Sequence, residues 1–251
     1  MAEFKDYFSA NAGGYAAYRP DYPPELFAFL AGQVERHDLA WDCATGNGQA
    51  ARGLAGYFRE VMGSDASAQQ IANASAHPGV SYRVAPAEAS GLADASVDLV
   101  TVAQAAHWFD LALFYAEVNR VLRPGGVLAL WCYERLSIDP GCDPIIEHFY
   151  IDTLGPYWPP ERRWVETGYR DLPFPYPDLP RPGFTMQAEW NLDQLMGYFA
   201  TWSAVKAYRA ALNRDPLPEL RASLEPHWIS NAGRKTLKWP LSLRLGRAVV
   251  A

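Results

Sequence analysis

The sequence lacks a long hydrophobic run, and this absence removes one class of protein. No stretch of the 251 residues approaches the roughly 18 consecutive uncharged apolar residues that a membrane span needs. The opening residues 1–15 also lack the basic and then apolar pattern of a signal peptide. We therefore expect a cytoplasmic protein with no membrane partner.

Cysteines and clustered basic residues are also scarce. The three cysteines are odd in number and show no C-x-x-C spacing, so neither a disulfide framework nor a zinc site is predicted. The 22 Lys and Arg against 28 Asp and Glu give a formal charge of −6, without a Lys/Arg run. This balance argues against a nucleic-acid partner held through its phosphates. We also expect no metal, because no metal-ligand spacing relates His37, His77, His148 and His227.

Apolar residues are abundant, and their distribution suggests how the chain is organised. At 49% hydrophobic, the sequence can form a packed core. Beyond residue 134, ten prolines and many large aromatic side chains crowd into about forty positions. We predict one domain made of an N-terminal lid and first helix (1–35), a ligand-binding core (36–134), an insert (135–183) and a C-terminal strand-helix-strand unit (184–251).

Short apolar strands alternate with helices in the first half of the chain. Because such strands are buried on both faces, their order implies a parallel sheet covered by helices. Near the end of the chain, two segments in which apolar and polar residues alternate predict antiparallel strands. A predicted helix from Leu192 to Tyr208, capped by Asn191, separates them. The expected fold class is α/β, a Rossmann-like seven-stranded, mostly parallel sheet with an antiparallel last pair. The predicted strands are 39–42, 60–64, 80–85, 97–102, 127–133, 184–190 and 237–245, and the earlier helices are about 24–34, 49–55, 68–76 and 111–121.

A glycine-containing loop follows the first strand, at the edge where parallel sheets bind ligands. It reads DCATGNG over residues 42–48. Gly46 and Gly48 permit a tight turn and close approach of a ligand, and the next helix begins at once. The pattern Gly-x-Gly-x-x-Ala alone fits a dinucleotide site or a purely structural turn.

Two aspartates narrow the choice of ligand. Asp65 ends the second strand 17 residues past Gly48, where a carboxylate accepts the hydroxyls of a ribose. Asp42 lies where the pyrophosphate of a dinucleotide would bind, and its charge repels phosphate but suits an ammonium or sulfonium group. This contrast favours S-adenosylmethionine over NAD as the cofactor.

Four segments taken together resemble successive motifs of class I S-adenosylmethionine-dependent methyltransferases. The resemblance covers about residues 36–134. Further segments are similar to small-molecule methyltransferases of the trans-aconitate-methyltransferase-like kind, which implies transfer of a methyl group to a small acceptor. The first set is DCATGNG (42–48), VMGSD (61–65), VDLV (97–100) and VLRPGG (121–126), and the second is YAAYRPDYP (15–23), HWFD (107–110), Trp190 onward and WPL (239–241).

The resemblance implies roles for individual residues in cofactor binding. The backbone of Gly46 and Gly48 would contact the methionine part of the cofactor, Asp42 would face its ammonium group, and Asp65 with Ala66 would hold the ribose. Ala44 stands where the family often has glycine.

The remaining cofactor contacts implied by the resemblance come from other strand ends and from the N-terminus. The Ala87 N–H and Glu88 would meet the adenine, because a proline precedes them where the family usually has an acidic residue. Gln104, after the fourth strand, would form the floor of the pocket under the methionine end of the cofactor. Tyr15 and Arg19 would belong to a lid over the pocket.

His107, just past the fourth strand, is the candidate catalytic residue. Methyl transfer is an in-line displacement, and hydroxyl or amine acceptors also require removal of a proton. With an ordinary pKa of about 6.5, His107 suits a base or a residue that orients the acceptor; alternatively it packs beside Trp108. Asp110 is interpreted as a helix N-cap. Inward-pointing arginines of the insert would clamp an anionic acceptor, the candidates being Arg162, Arg163, Arg170 and Arg181.

Several alternatives remain open from the sequence. A small-molecule oxygen acceptor, carboxylate or hydroxyl, is the first hypothesis, with nitrogen or carbon acceptors open. An NAD-dependent oxidoreductase and a nonenzymatic nucleoside-binding protein are the rival functions. A monomer or homodimer is expected.

Overall fold

The computed structural model describes residues 20–228 and 233–248. In the first half, helices and strands alternate. Within the described ranges, no helix is both long and apolar enough to cross a bilayer. The elements of this half are α1 (Pro24–Ala31), β1 (Leu39–Cys43), α2 (Gln49–Leu54), β2 (Glu60–Asp65), α3 (Ala68–Ala72), β3 (Val80–Val84), β4 (Val97–Ala103), a 3-10 turn (Ala106–Trp108), α4 (Leu111–Val121) and β5 (Leu122–Tyr133).

The second half contains mostly helices, followed by the last strand. The insert contains short helices. The elements of this half are α5 (Asp143–His148), a π-helical turn (Phe149–Thr153), a 3-10 turn (Gly155–Tyr157), α6 (Arg162–Glu166), β6 (Phe184–Asn191), α7 (Leu192–Ala200), α8 (Ser203–Leu212), α9 (Leu217–Leu224), a 3-10 turn (Glu225–His227) and β7 (Arg234–Arg247).

The seven strands form one sheet in the order β3-β2-β1-β4-β5-β7-β6. β1 to β5 run parallel, whereas β7 pairs antiparallel with both β5 and β6. The expected Rossmann-like sheet with an antiparallel last pair is thus confirmed. Asp42 of β1 lies beside Gly63 of β2 and Thr101 of β4, so the ends of the central strands meet at one edge of the sheet.

Apolar side chains pack on both faces of the sheet, which explains why the central strands read as continuous hydrophobic runs. One face buries Trp131 and Trp239 with the C-terminal helices. The other buries Trp41 and Phe114, and it also receives Tyr169 from the insert. The insert is therefore part of the core beside the carboxyl ends of the strands.

The prediction of one continuous helix from Leu192 to Tyr208 was wrong. α7 ends at Ala200, and α8 begins at Ser203, because Trp202 adopts an extended conformation with φ −66° and ψ 136°. Its ring centroid lies 4.7 Å from that of Phe199 and 5.4 Å from that of Trp158. Apolar spacing continues through this break, so periodicity alone could not show it.

Candidate active site

The loop between β1 and α2 holds three left-handed residues. Ala44, Gly46 and Gly48 have φ values of 54°, 56° and 83°. A Cβ on Gly48 would lie 2.0 Å from the Tyr82 hydroxyl oxygen, so a side chain there would displace Tyr82 as well as strain the left-handed backbone. By contrast, no atom of residues 20–228 and 233–248 lies within 4 Å of the Cβ position of Gly46. These described residues therefore leave room for a ligand beside the Gly46 backbone, as a ligand cradle requires.

Asp65, at the end of β2, connects this loop to the next turn. Its Oδ2 accepts a hydrogen bond from the Gly46 N–H at 3.0 Å, and its Oδ1 accepts one from the Ser67 N–H at 2.9 Å. A carboxylate offers about four acceptor positions, so these bonds are compatible with additional ribose hydroxyls. The half-buried Ala66 lies between Asp65 and Ser67, where the sequence placed a ribose contact.

Asp42 lies beneath the loop and is only 1% exposed. Thr45 Oγ1 donates to its Oδ2 at 2.5 Å, and Thr101 Oγ1 donates to its Oδ1 at 2.8 Å. Burial raises the pKa of Asp42 to about 6, although the two threonine hydrogen bonds oppose this shift. A positive charge placed nearby would hold the carboxylate ionised. The predicted contact with an ammonium group stays a prediction.

Residues after β3 and β4 complete this edge of the sheet. Ala87 is buried, and Glu88 Oε1 accepts from the Asp110 N–H at 3.2 Å, so Glu88 is tied to the start of α4. Asp110 also caps that helix, accepting from the Leu113 N–H, as predicted. The proposed adenine contacts of Ala87 and Glu88 stay predictions.

Gln104 has a structural role that the sequence did not reveal. Its φ is 57°, a conformation that costs energy for a residue with a side chain. Its N–H donates to the Trp131 carbonyl, and its Oε1 accepts from the Tyr133 N–H, both at 2.8 Å. These bonds hold the end of β4 against β5, and backbone strain of this kind concentrates at functional sites.

His107 lies in the 3-10 turn after β4, and its Nδ1 is 2.8 Å from the Tyr169 hydroxyl. Its ring also contacts Trp108, with centroids 4.7 Å apart. Burial, helped by the positive charge of Arg162, lowers the pKa of His107 to about 3, so the imidazole is neutral near pH 7. Sequence reasoning missed Tyr169, which lies 62 positions away with no motif to mark it.

Arg162 lies between two cavities beyond the sheet edge. The first, of about 210 Å³, is walled by Tyr150, Tyr198 and Trp202, and the second is about 360 Å³. Arg162 lines both. Of the other arginines predicted to clamp an acceptor, Arg163 is exposed and also lines the second cavity, and Arg170 and Arg181 are exposed.

Tyr15 and Arg19 lie outside the described residues. Cys43, Cys132 and Cys142 are buried and unpaired. Among residues 20–228 and 233–248, no group of three or more His, Cys, Asp or Glu side chains could hold a metal ion.

Comparisons with known proteins give consistent matches. The methyltransferase domain family matches residues 41–130. A methyltransferase of Dictyostelium discoideum is 38% identical over 226 residues, which cover 88% of this chain and 86% of that protein. An uncharacterised methyltransferase of Mycobacterium tuberculosis is 38% identical over 124 residues, or 49% of this chain and 50% of its own. A solved structure described as a type II methyltransferase, from Anaeromyxobacter dehalogenans, is 43% identical with a TM-score of 0.87, over 93% of this chain and 100% of that one.

Proposed function

Because the chain belongs to the class I S-adenosylmethionine-dependent methyltransferases, we propose that it transfers a methyl group to an oxygen atom of a small molecule, a carboxylate or a hydroxyl. The observation that supports the cofactor part of this proposal is the left-handed Gly46 backbone, whose N–H donates to Asp65. Family membership disfavours the NAD-dependent rival. Family membership does not specify the methyl acceptor.

The proposed cofactor site uses side chains from two strand ends. Asp65 holds the ribose, the backbone at Gly46 lies along the methionine portion, and Asp42 below the loop balances the ammonium charge. Ala87 and Glu88 lie on the adenine side. The bound cofactor supplies an electrophilic methyl group on a sulfonium sulfur.

The proposed acceptor site lies past the ends of β4 and β5. The second cavity, of about 360 Å³, falls in the range of small-molecule pockets, and the first, of about 210 Å³, lies below that range. Tyr150 and Trp202 give the first cavity an aromatic wall beside charged residues such as Arg162. In this proposal, His107 in the 3-10 turn after β4 orients the acceptor.

Calorimetric titration with S-adenosylhomocysteine tests the cofactor site. We expect micromolar binding to the native protein and at least about tenfold weaker binding to Asp65→Ala, because the variant loses the ribose contact and the brace on Gly46. Asp171→Ala removes an exposed carboxylate of the insert and should leave the affinity unchanged. No binding at millimolar ligand, or an unchanged Asp65→Ala, would contradict the assignment.

Methyl transfer itself requires a second measurement. The protein is incubated with methyl-labelled S-adenosylmethionine and a cell extract, and labelled products are identified by mass. We expect a labelled small ester or ether. Label only on nitrogen, carbon or macromolecules, or cofactor binding without any labelled product, would overturn the proposal of oxygen methylation.

A further inference from the structure

Tyr82, in the middle of β3, packs against the loop between β1 and α2. A Cβ on Gly48 would lie 2.0 Å from the Tyr82 hydroxyl oxygen and 2.7 Å from its Cζ. A Cβ on Gly63, the register partner of Tyr82 in β2, would lie 2.9 Å from Cδ1 of the same ring. One aromatic ring therefore fills the side-chain positions of two glycines and contacts both the loop and the neighbouring strand.

The hydroxyl group of Tyr82 reaches the same loop by a second route. Burial raises the pKa of this hydroxyl above its ordinary value of 10.0, so it is protonated at neutral pH and donates a hydrogen bond. Its acceptor is the Ser75 carbonyl, at 3.0 Å. The Ser75 N–H in turn donates to the Asn47 carbonyl at 3.2 Å. Because Asn47 lies between the two glycines of the loop, the hydroxyl holds the loop through the backbone of one intervening residue.

Different strands hold the two glycines of the loop. Asp65, at the end of β2, accepts a hydrogen bond from the Gly46 N–H at 3.0 Å, and its strand lies next to β1. Gly48 instead packs on Tyr82 of β3, one strand further from β1. Because glycine adopts a wide range of backbone conformations, a loop with two glycines needs such contacts to keep one shape. The left-handed φ of 83° at Gly48 is therefore maintained by a side chain from outside the loop.

We propose that Tyr82 is a positioning residue for S-adenosylmethionine, because it keeps the backbone of Gly46 and Gly48 in the conformation that the methionine part of the cofactor meets. This inference rests on the proposed cofactor site and adds a residue that acts through the loop. The ring sets the position of Gly48, and the hydroxyl holds Asn47 through Ser75. Since the loop is ordered before the cofactor arrives, binding loses less conformational entropy.

A tyrosine with a purely structural role would behave differently when it is replaced. Its loss would lower the melting temperature, but the molecules that remain folded would bind the cofactor as before. Loss of a positioning residue also weakens binding to the folded protein, chiefly of the ligand part that meets the loop. S-adenosylhomocysteine carries the amino-acid part of the cofactor, whereas methylthioadenosine lacks it and keeps the ribose and adenine. A comparison of these two ligands therefore separates the two roles.

Calorimetric titration of the full chain, well below its melting temperature, provides the test. Tyr82→Leu removes the ring and the hydroxyl, and we expect it to weaken the binding of S-adenosylhomocysteine at least about tenfold and that of methylthioadenosine at most about twofold. Tyr82→Phe keeps the ring and loses only the hydroxyl, so S-adenosylhomocysteine should bind about threefold more weakly. Tyr82→Phe also decides the test if Tyr82→Leu does not fold.

Tyr176→Phe is the matched control, because it removes a tyrosine hydroxyl that bonds elsewhere in the fold. The Tyr176 hydroxyl donates to Asn119 Oδ1 of α4 at 2.7 Å. Its loss should lower the melting temperature without changing the affinity for S-adenosylhomocysteine. Hydrogen exchange followed by mass spectrometry adds a measurement without ligand. Tyr82→Leu should speed amide exchange over residues 45–49, and Tyr176→Phe should not.

The outcomes separate this inference from the proposed cofactor site. The positioning role would be overturned by an unchanged affinity of Tyr82→Phe for S-adenosylhomocysteine, or by equal weakening of both ligands in Tyr82→Leu. The same loss of affinity in Tyr176→Phe, or unchanged exchange over residues 45–49 in Tyr82→Leu, would also overturn it. In each of these cases the native protein still binds S-adenosylhomocysteine. Failure of the native protein to bind it would instead overturn the proposed cofactor site.

Discussion

At Asp42, burial and the proposed ligand recognition act on the same carboxylate. Burial raises its pKa from 3.8 to about 6, so the native state pays for ionisation at neutral pH. We expect Asp42→Asn to increase the free energy of unfolding at pH 7.5 by on the order of 2 kcal/mol. The same variant should bind S-adenosylhomocysteine at least about tenfold more weakly. Chemical denaturation and calorimetry measure the two effects.

Asp98 is the matched control, because it is also buried but has a cationic partner. Its Oδ1 accepts from Arg123 at 2.7 Å, and its Oδ2 accepts from the Leu39 N–H at 3.0 Å. Asp98→Asn should therefore destabilise the protein, since it leaves Arg123 without this counterion. If Asp42→Asn lost stability as Asp98→Asn does, the interpretation of Asp42 would be wrong.

Single residues of the site differ in how far the sequence could predict them. Asp42 and Asp65 follow from strand ends and spacing, and both lie at the predicted edge of the sheet. The contact between His107 and Tyr169 spans 62 positions and depends on how the insert folds back. The left-handed conformation of Gln104 was equally hidden, because nothing local requires it.

Among the elements, β7 fixes the position of the insert through Arg244. Its Nη1 donates to the carbonyls of Tyr169 and Arg170, at 2.8 and 3.2 Å, and its Nε pairs with Asp178 at 3.0 Å. Arg244→Met leaves these acceptors without their donor. We expect it to lower the free energy of unfolding by about 2 kcal/mol. It should also speed amide hydrogen exchange over residues 169–178, as mass spectrometry measures.

Arg181, an exposed arginine of the same insert, provides the comparison. Arg181→Met should change neither the unfolding free energy nor hydrogen exchange in residues 169–178. Exchange in β4 should be unaffected by both variants under native conditions. Unchanged protection of residues 169–178 in Arg244→Met would mean that other contacts hold the insert.

The hydrophobic pattern of the sequence predicted a helix or strand correctly where a single physical rule determines that element. β4 is a continuous apolar run because both of its faces are covered, and its predicted position was confirmed within one residue. The break after α7 was not predictable, since Trp202 leaves the helix to pack against rings of the insert. The same limit applies to α6, whose Arg162 faces cavities that exist only in the folded chain.

Across the whole molecule, carboxylates with shifted pKa values change the stability in opposite directions with pH. Arg120 hydrogen bonds lower the pKa of Glu117 below 4.5, and Lys235 lowers that of Asp139 below 3.8. Their stabilisation is present above those ordinary values and is lost as the pH falls through the lowered ones. Asp42 behaves oppositely: its stabilisation is complete below 3.8 and is lost as the pH rises through about 6.

These opposing shifts predict how stability and cofactor binding respond to pH together. Without ligand, the raised pKa of Asp42 lowers the melting temperature as the pH rises from about 4 to 6, whereas the lowered pKa of His107 raises it over the same range. The two slopes oppose each other, so we expect a nearly flat profile there in the native protein, a rising one in Asp42→Asn and a falling one in His107→Gln. Because an ammonium near Asp42 favours its ionised form, S-adenosylhomocysteine should bind more tightly as the pH rises from 5 to about 7. Calorimetric scanning across pH, with and without the homologue, measures these slopes; a stabilisation by the homologue that does not grow with pH would place the ammonium away from Asp42.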